Sequence, residues 1–283
     1  TTNRVRVGYT TAATIYGILT YSWSGYTGTD SYRIQPEAAA TFNSTPNPQP
    51  AALDNGTFLT IASFNVLNYF NGPTFPTARG ATTLDEFNRQ RAKTIAAAIA
   101  LDADVLGVME IENDGTGAGS AIQDLVNGLN AATAPGTYAF ITDPAPGSDA
   151  IKVSIIYKPG MVTASGSAQN YQTSYGGYTS VFSRPPLMQA FTLNSNGEKF
   201  IVVVNHFKSK GCSSATGADL DQGDGQSCYN ARRVAQAQAL GIYLNTLTSV
   251  DPDIITLGDF NAYSQEDPIY TLTNTYGYIN LEG

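Results

Sequence analysis

The sequence contains few charged residues, and most of those are acidic. Charged side chains make up 13% of the 283 residues, with 15 Lys and Arg against 23 Asp and Glu, so the formal net charge is −8. A basic surface that binds nucleic acid by itself is disfavoured, because phosphate contacts need clustered cations. An acidic protein can still act on phosphates when bound metal ions reverse the local field. The charge balance therefore counts more against a pure nucleic-acid binder than against a metal-dependent enzyme.

Long apolar runs, a leader segment, histidine and cysteine are also scarce or absent. No apolar stretch approaches the roughly 18 residues that span a bilayer, and no signal peptide is visible at Thr1, so we expect any leader to have been removed or left out. His206 is the only histidine, and Cys212 and Cys228 are the only cysteines. With no CxxC pair and no second histidine, this set argues against a zinc site. The cysteines predict a disulfide worth about 3 kcal/mol in the chain-entropy model, and hence an oxidising compartment. The alternative is two free thiols.

Three segments of the chain differ in composition. Residues 1–36 contain short β-branched and aromatic runs between turns, among them Arg4–Tyr9, and are too few for a stable domain. They are interpreted as the C-terminal remnant of an upstream β-rich domain. Residues 37–57 are rich in Pro, Ala and Asn and are typical of a linker. Residues 58–283 are predicted to form the main domain.

In this main domain, apolar strands alternate with amphipathic helices. The predicted helices are Leu84–Leu101, Ser120–Ala131 with Ser120 as N-cap, Ala231–Leu247 and the short Asp267–Thr273. The predicted strands are Phe58–Val66, Asp104–Ile111, Tyr138–Ile141, Ile151–Tyr157, Leu187–Leu193, Phe200–Phe207 and Ile254–Leu257, and Tyr276–Leu281 is interpreted as a strand that is just beginning. Several strands are apolar on both faces, which predicts a layered α/β structure with mixed sheets.

Polar residues follow several of the apolar strands directly. They are Asn65, Glu110, His206 and Asp259, with Asn261 two positions further on. Side chains that end buried strands are expected to gather along one rim of a sheet, where ligands usually bind. Each residue alone has an ordinary structural explanation as a turn, a solvated end or a satisfied core group. Their joint occurrence favours a site.

The chemistry of this set is that of a hard divalent cation. Glu110 and Asp259 offer carboxylate oxygens, and Asn65 and Asn261 offer amide groups, a combination that suits Mg²⁺, Mn²⁺ or Ca²⁺. His206 could stabilise a phosphoryl oxygen or act as an acid or base. Lys208 and Lys210 follow it closely and could contact phosphate. Separately, Asp219, Asp221 and Asp224 in the cysteine loop could hold a structural Ca²⁺, although their spacing is not that of an EF-hand.

Four strings of residues carry a resemblance to a known family. In chain order they are Ser63–Leu67 (SFNVL), Met109–Asn113 (MEIEN), Val204–Lys210 (VNHFKSK) and Gly258–Ala262 (GDFNA). They resemble the motifs of the endonuclease/exonuclease/phosphatase superfamily, and most of all its large secreted bacterial nucleases. The resemblance covers residues 58–283 and implies an α/β (α+β) fold, a four-layered sandwich with two mixed β-sheets flanked by helices.

The resemblance also implies a role for each motif residue. Glu110 is the chief metal ligand, assisted by Asn65, and the expected ion is Mg²⁺ or Mn²⁺. His206 contacts the scissile phosphate, Asp259 orients or activates the attacking water, and Asn261 supports the transition state. Arg184, within Ser183–Pro186, matches a phosphate-contacting arginine, and Lys208 is a further phosphate-binding candidate. The segment Gly17–Ser22 followed by Tyr32–Pro36 resembles the end of the β domain that precedes the nuclease in these proteins.

The sequence departs from the family pattern after residue 262. The pattern continues with an Asp in a late strand and a Ser-Asp-His motif, but this sequence has no histidine after His206. We expect the chain to be a fragment whose nuclease domain lacks its final strands. The alternatives are that a second chain supplies them or that the protein is a degenerate relative. These 283 residues alone are expected to be inactive or nearly so.

The sequence thus predicts an extracellular or periplasmic, metal-dependent endonuclease that cleaves phosphodiester bonds in DNA, or in RNA. One alternative is a phosphatase or phospholipid phosphodiesterase of the same superfamily. The other is a catalytically dead module that binds DNA or a cell surface.

Overall fold

The computed structural model describes residues 10–23, 30–43 and 59–281. The chain divides into two compact units, Thr1–Gly56 and Thr57–Gly283. None of the helices in the described residues combines the length and the hydropathy that a bilayer crossing requires.

The first unit is built from short antiparallel strand pairs. Its described strands are β1 (Thr10–Thr11), β2 (Gly17–Trp23), β3 (Asp30–Pro36) and β4 (Phe42–Asn43). β1 pairs with β4 and β2 pairs with β3. The β-rich character predicted for residues 1–36 is therefore seen in the described part, whereas Arg4–Tyr9 lies outside it. β4 falls inside the segment predicted as a linker, most of which also lies outside the described residues.

The second unit alternates strands and helices. Within residues 59–281 its strands are β5 (Ile61–Tyr69), β6 (Val105–Glu112), β7 (Ala139–Phe140), β8 (Ile151–Tyr157), β9 (Val162–Asn170), β10 (Leu187–Leu193), β11 (Lys199–His206) and β12 (Ile254–Asp259). Its α-helices are α1 (Leu84–Leu101), α2 (Ala121–Ala132), α3 (Asn230–Leu247) and α4 (Asp267–Tyr270). A π-helical turn at Thr271–Thr275 follows α4.

The strands form two mixed four-stranded sheets. The first has the order β5-β6-β8-β7, and the second has the order β12-β11-β10-β9. β5 runs parallel to β6, and β11 runs parallel to β12, while the other pairs are antiparallel. Each sheet therefore has one parallel pair, and the polar residues of the motifs belong to these two pairs.

The apolar strands are covered on both faces, which creates four layers. In β6, Leu106 and Val108 lie in the cluster formed with α1 and α2, whereas Val105 and Met109 lie in the cluster between the sheets. This alternation follows from the period of two in a strand. β11 does the same, because Val202 and Val204 face the other sheet while its alternate residues pack against α3. The predicted four-layered sandwich is confirmed.

Two predictions about elements need correction. β9 was not expected, because its sequence is mostly polar and it is an edge strand that buries little apolar surface. Tyr276–Leu281 was expected to be a strand but belongs to no sheet among the described residues. Its alternating tyrosines pack instead on the α3 side, where Tyr276 lies over Gly241 and Tyr278 contacts the second outer cluster.

Helix α1 starts at a strong N-terminal cap and borders the site described below. The Thr83 hydroxyl accepts a hydrogen bond from the Glu86 backbone N–H at 3.2 Å, and the Glu86 carboxylate in turn binds Thr82. The first of these bonds satisfies a backbone N–H that the first helical turn leaves free, and the second fixes the residue before the cap. Phe87 and Ile95 bury the inner face of the helix against the first sheet.

The predicted disulfide between Cys212 and Cys228 is present. Arg233 of α3 stabilises the enclosed loop although it is fully buried. It donates to the carbonyl oxygens of Gln226 at 2.7 Å and of Cys228 at 2.8 Å. These backbone contacts, rather than an ion pair closer than 4 Å, hold the two Nη atoms, whereas Nε has no hydrogen-bond partner among the described residues.

The three aspartates of the cysteine loop serve local contacts. Asp219 accepts the Tyr178 hydroxyl at 2.6 Å, and Asp221 and Asp224 accept backbone N–H groups two residues further on. In residues 10–23, 30–43 and 59–281, one group of acidic and histidine side chains lies close enough together to hold a metal ion. The three aspartates do not belong to it. The geometry therefore gives no support to the structural Ca²⁺ predicted there.

Replacing both Cys212 and Cys228 with serine is expected to lower the free energy of unfolding by about 3 kcal/mol, because the unfolded chain gains loop entropy. Urea denaturation of the double variant measures this change. Reduced wild-type protein should unfold at the same urea concentration as the variant. Equal stability of the oxidised wild type and the variant would contradict the prediction.

Candidate active site

The parallel pair β11–β12 places two of the predicted residues side by side. His206 and Asp259 are register partners at the last positions of the two strands. The His206 Nε2 atom lies 3.8 Å from Asp259 Oδ2. The prediction that both residues end strands at one rim is correct, since the carboxyl ends of parallel strands meet at the same edge.

Glu110 reaches the same rim by a different route. Glu110 was predicted to follow the end of a strand. The strand β6 instead continues to Glu112, so Glu110 lies inside it. It occupies the left-handed region with φ of 64°, and the strand register shifts between Met109 and Ile111. A bulge of this kind re-aims a side chain, and strained backbone is common at functional sites. The bulge turns the Glu110 carboxylate towards Asp259 and His206.

Asn65 lies at a similar irregularity in β5. Its Nδ2 donates to Glu110 Oε1 at 3.1 Å and to Asp259 Oδ2 at 3.3 Å, while its Oδ1 accepts the Leu67 N–H at 2.9 Å. Leu67 and Asn68 both have positive φ, and the Asn68 N–H donates to Glu110 Oε2 at 3.0 Å. In this arrangement Asn65 links the two carboxylates through its amino group. Its oxygen faces the backbone, so the predicted role as a metal ligand would require the amide to turn over.

The ligand atoms of three residues converge as a metal site requires. One oxygen or nitrogen each from Glu110, His206 and Asp259 lie within 4.8 Å of one another. Neither carboxylate forms an ion pair with a lysine or arginine in the described part of the chain. Two carboxylates held close together without a cation are the hard-oxygen arrangement that suits Mg²⁺ or Mn²⁺. The residues present therefore fit a divalent ion.

His206 is held as a neutral imidazole. The side chain is 4% exposed, and its Nδ1 has no hydrogen-bond partner. Burial, followed by the positive charge of Arg184, lowers the pKa of His206 to about 4, against an opposing effect of Asp259. A neutral ring carries one N–H donor and one acceptor nitrogen. It can therefore donate a hydrogen bond to a phosphate oxygen without carrying charge.

Arg184 is placed behind the histidine. Its Nε donates to the His206 carbonyl at 3.3 Å, its Nη2 to the Phe207 carbonyl at 2.6 Å, and its Nη1 to Asp149 Oδ2 at 2.9 Å. The side chain is buried, so all three nitrogens serve protein oxygens. In this structure Arg184 anchors the end of β11, and phosphate binding by Arg184 stays a prediction.

Asp149 connects Arg184 to a more exposed arginine. Its Oδ1 lies 3.1 Å from Arg79 Nη1, and the Arg79 side chain is 44% exposed. Asn113 holds the loop that carries Asp149, because its Nδ2 donates to the carbonyls of Gly147 and Asp149. Arg79 is thus a cation that remains accessible near His206, whose pKa its charge lowers.

Asn261 ties the two strand ends together. Its Nδ2 donates to the Phe207 carbonyl at 3.1 Å, and its backbone N–H donates to Asp259 Oδ1 at 2.9 Å. The residue has φ of 48°, in the left-handed region that asparagine tolerates better than most residues. The contacts fix the position of the Asp259 carboxylate, which is compatible with the predicted supporting role.

The two lysines after His206 are engaged by aromatic rings. Lys208 Nζ lies 4.3 Å from the centre of the Tyr229 ring, and Lys210 Nζ lies 4.3 Å from that of Tyr263 and forms an ion pair with Glu266. Lys210 is therefore neutralised within the protein. Phosphate binding by Lys208 stays a prediction.

Sequence reasoning identified the five motif residues but missed their supports. Asp149, Arg79 and the backbone N–H of Asn68 had not been considered. Asn113 belonged to a recognised string, yet its partners lie more than thirty positions away. No local pattern marks such contacts, because they depend on which loops the fold brings together.

Comparison with known proteins gives a family match and a common fold. A sequence profile described as the Endonuclease/Exonuclease/phosphatase family matches residues 60–274. No curated protein sequence matches the chain significantly.

Several solved structures share the fold at low sequence identity. The human Nocturnin catalytic domain with bound sulfate superposes with a TM-score of 0.53 at 16% identity, over 77% of this chain and 69% of that chain. The mannosyl-6-phosphatase from Bacteroides thetaiotaomicron gives 0.50 at 15% identity, over 77% and 70%. A hairpin-deletion mutant of the beta toxin from Staphylococcus aureus gives 0.50 at 13% identity, over 78% and 74%. At such identities these likenesses concern the fold alone.

Proposed function

The chain belongs to the endonuclease/exonuclease/phosphatase family, whose members are phosphoester hydrolases, and from this premise we propose that it is a metal-dependent endonuclease acting on DNA. The observation that carries the proposal is the convergence of Glu110, His206 and Asp259 at one rim. Two carboxylates and a neutral imidazole supply the acceptors and donor that an in-line attack on phosphorus needs.

The surroundings of the site favour a polymer over a small phosphate ester. Two open grooves, with volumes of about 540 and 750 Å³, contain residues that hydrogen bonds link to the cluster. One groove includes Asn68, which binds Glu110, and the other includes Asp149, which binds Arg184. A substrate that continues on both sides of the scissile phosphate has room in such an open arrangement, and a single nucleotide does not need it.

The proposed roles follow from the contacts of each residue. Glu110 would hold Mg²⁺ or Mn²⁺, which when bound supplies Lewis-acid stabilisation of charge on the phosphate and leaving oxygens. Asp259 accepts a hydrogen bond from the attacking water and orients it. His206 donates its N–H to a phosphate oxygen, and Asn65 keeps the Glu110 and Asp259 carboxylates at their spacing.

We propose secretion as well, on the basis of the disulfide between Cys212 and Cys228, since such bonds persist in oxidising compartments. We also propose slow turnover by these 283 residues. His206 is their only imidazole and is assigned to the phosphate, so no second imidazole is present to take the proton of the attacking water or to protonate the leaving oxygen.

The test is plasmid cleavage. Supercoiled DNA should become nicked with Mg²⁺ and stay intact with EDTA, and one cut per plasmid makes slow turnover visible. Bis(p-nitrophenyl) phosphate should be hydrolysed faster than p-nitrophenyl phosphate. A preference for the monoester would favour a phosphatase, and DNA binding without cleavage of any ester would favour a catalytically inactive binding module.

A further inference from the structure

A groove lies against helix α1 on one side of the candidate active site. Its volume is about 540 Å³, and it is lined by Leu67, Asn68, Gly80, Ala81, Glu86, Arg89, Gln90 and Lys93. None of its side chains belongs to the metal cluster. The side chains that line it take no part in the catalytic steps proposed above.

The wall of this groove is tied directly to the active site. Gln90 of α1 donates through Nε2 to the carbonyls of Val66 and Leu67, at 3.0 and 2.6 Å. Asn68, which follows Leu67 in the chain, donates its backbone N–H to the Glu110 carboxylate. The groove therefore borders the principal metal ligand directly, because Asn68 lines the groove and binds Glu110. A substrate bound at Glu110 can continue into the groove.

The groove also contains two of the three lysine and arginine side chains that have no hydrogen-bond, ion-pair or aromatic partner in residues 59–281. Residues 59–281 contain 12 lysines and arginines, and nine of them have a hydrogen bond, an ion pair or an aromatic ring as partner in the structure. The three without such a partner in this part of the chain are Arg89, Lys93 and Lys199. Arg89 and Lys93 both line the groove.

The two cations lie on one face of the helix and are free to bind a ligand. Residues four apart project from the same side of a helix, about 6 Å apart along its axis. Both side chains are exposed. The one carboxylate in the groove, Glu86, is already bound by Thr82, although it also attracts Arg89. The protein has a net charge of −8, so two adjacent cations beside the proposed phosphate-cleaving site give this groove a local positive charge that attracts phosphate.

We propose that this groove binds the nucleic-acid backbone beyond the scissile phosphate, with Arg89 and Lys93 contacting successive phosphates. The proposal rests on the function proposed above and adds a second contact region to it. Because phosphate contacts position a strand without reading its bases, this groove supplies affinity and register but no sequence preference.

The test compares three single-charge variants, Arg89→Ala, Lys93→Ala and Lys199→Ala. Lys199 is the matched control, because it is equally unpartnered but begins β11, whose other end carries His206, roughly 23 Å away at 3.3 Å per residue. The measurement is fluorescence anisotropy of fluorescein-labelled single-stranded DNA of about 16 nucleotides, the upper end of typical site sizes. Titrations run over a range of KCl concentrations, with EDTA and with Ca²⁺ in place of Mg²⁺.

Each groove variant should weaken binding and reduce the slope of log affinity against log salt by about 0.7, the value for one single-strand phosphate contact. Lys199→Ala should leave both quantities unchanged. Equal effects of all three variants would show that only the net charge of the protein matters, and would overturn the proposal. Groove variants that bind DNA like the wild type would also overturn it. Wild-type protein that binds no DNA under either condition would instead overturn the nucleic-acid function itself.

Discussion

Replacing Glu110 with glutamine is expected to weaken Mn²⁺ binding at least a hundredfold, which corresponds to about 2.7 kcal/mol. The change removes the negative charge that a hard cation requires. It also replaces one of the two oxygens that accept hydrogen bonds from Asn65 and Asn68 with an amide N–H₂, which then faces a donor. The variant should show no metal-dependent nicking of plasmid DNA above background.

Isothermal titration with Mn²⁺ measures the binding directly, so the result does not depend on turnover. Glu198→Gln is the matched control, because it makes the same change in net charge at an exposed position beside the amino-terminal end of β11. Glu198→Gln should bind Mn²⁺ like the wild type. Unchanged Mn²⁺ affinity in Glu110→Gln would exclude Glu110 as the principal ligand.

Replacing Gly258 with alanine is expected to lower the free energy of unfolding by about 4 kcal/mol, combining backbone strain with overpacking. Gly258 has φ of 131°, a region that L-residues rarely adopt. It pairs with Asn205 across β11 and β12, and a methyl group there would overlap the Asn205 backbone carbonyl. The next pair in the register is His206 and Asp259, so the same change should also disturb the site.

Urea denaturation of Gly258→Ala tests the loss of stability. The control is Gly177→Ala, where φ is 86° but an added Cβ meets no atom within 4 Å. This variant should lose only the cost of the backbone conformation, on the order of 1 kcal/mol. If both variants lose the same amount, the close approach of the two strands does not limit stability.

Most elements of the main domain could be predicted from periodicity. The bounds of α1, β8 and β10 agree with the prediction, since each has a clear apolar pattern and polar or turn residues at its ends. β9 was missed because an edge strand with one exposed face needs few apolar residues. Tyr276–Leu281 was predicted wrongly because alternating tyrosines can pack on a helix surface without forming a ladder.

The identities of the site residues were contained in the sequence, and so was the disulfide. The strings around Asn65, Glu110, His206 and Asp259 combine hard oxygen ligands with a single imidazole after apolar strands, and their resemblance to the family's motifs implies phosphate-cleaving chemistry. Composition and periodicity likewise determined the class of fold, since strands buried on both faces need a layer of helices on each outer side.

Only the tertiary structure decided how these residues are used. Glu110 reaches the rim through a bulge with positive φ, which no periodicity reveals because the apolar pattern of β6 continues past it. Arg184 anchors the backbone behind His206. On helix α1, Arg91 is paired with the distant Asp124, whereas Arg89 and Lys93 line the groove without such a partner. A sequence specifies the groups that are present, whereas burial and long-range hydrogen bonds determine which of them remain free to bind a ligand.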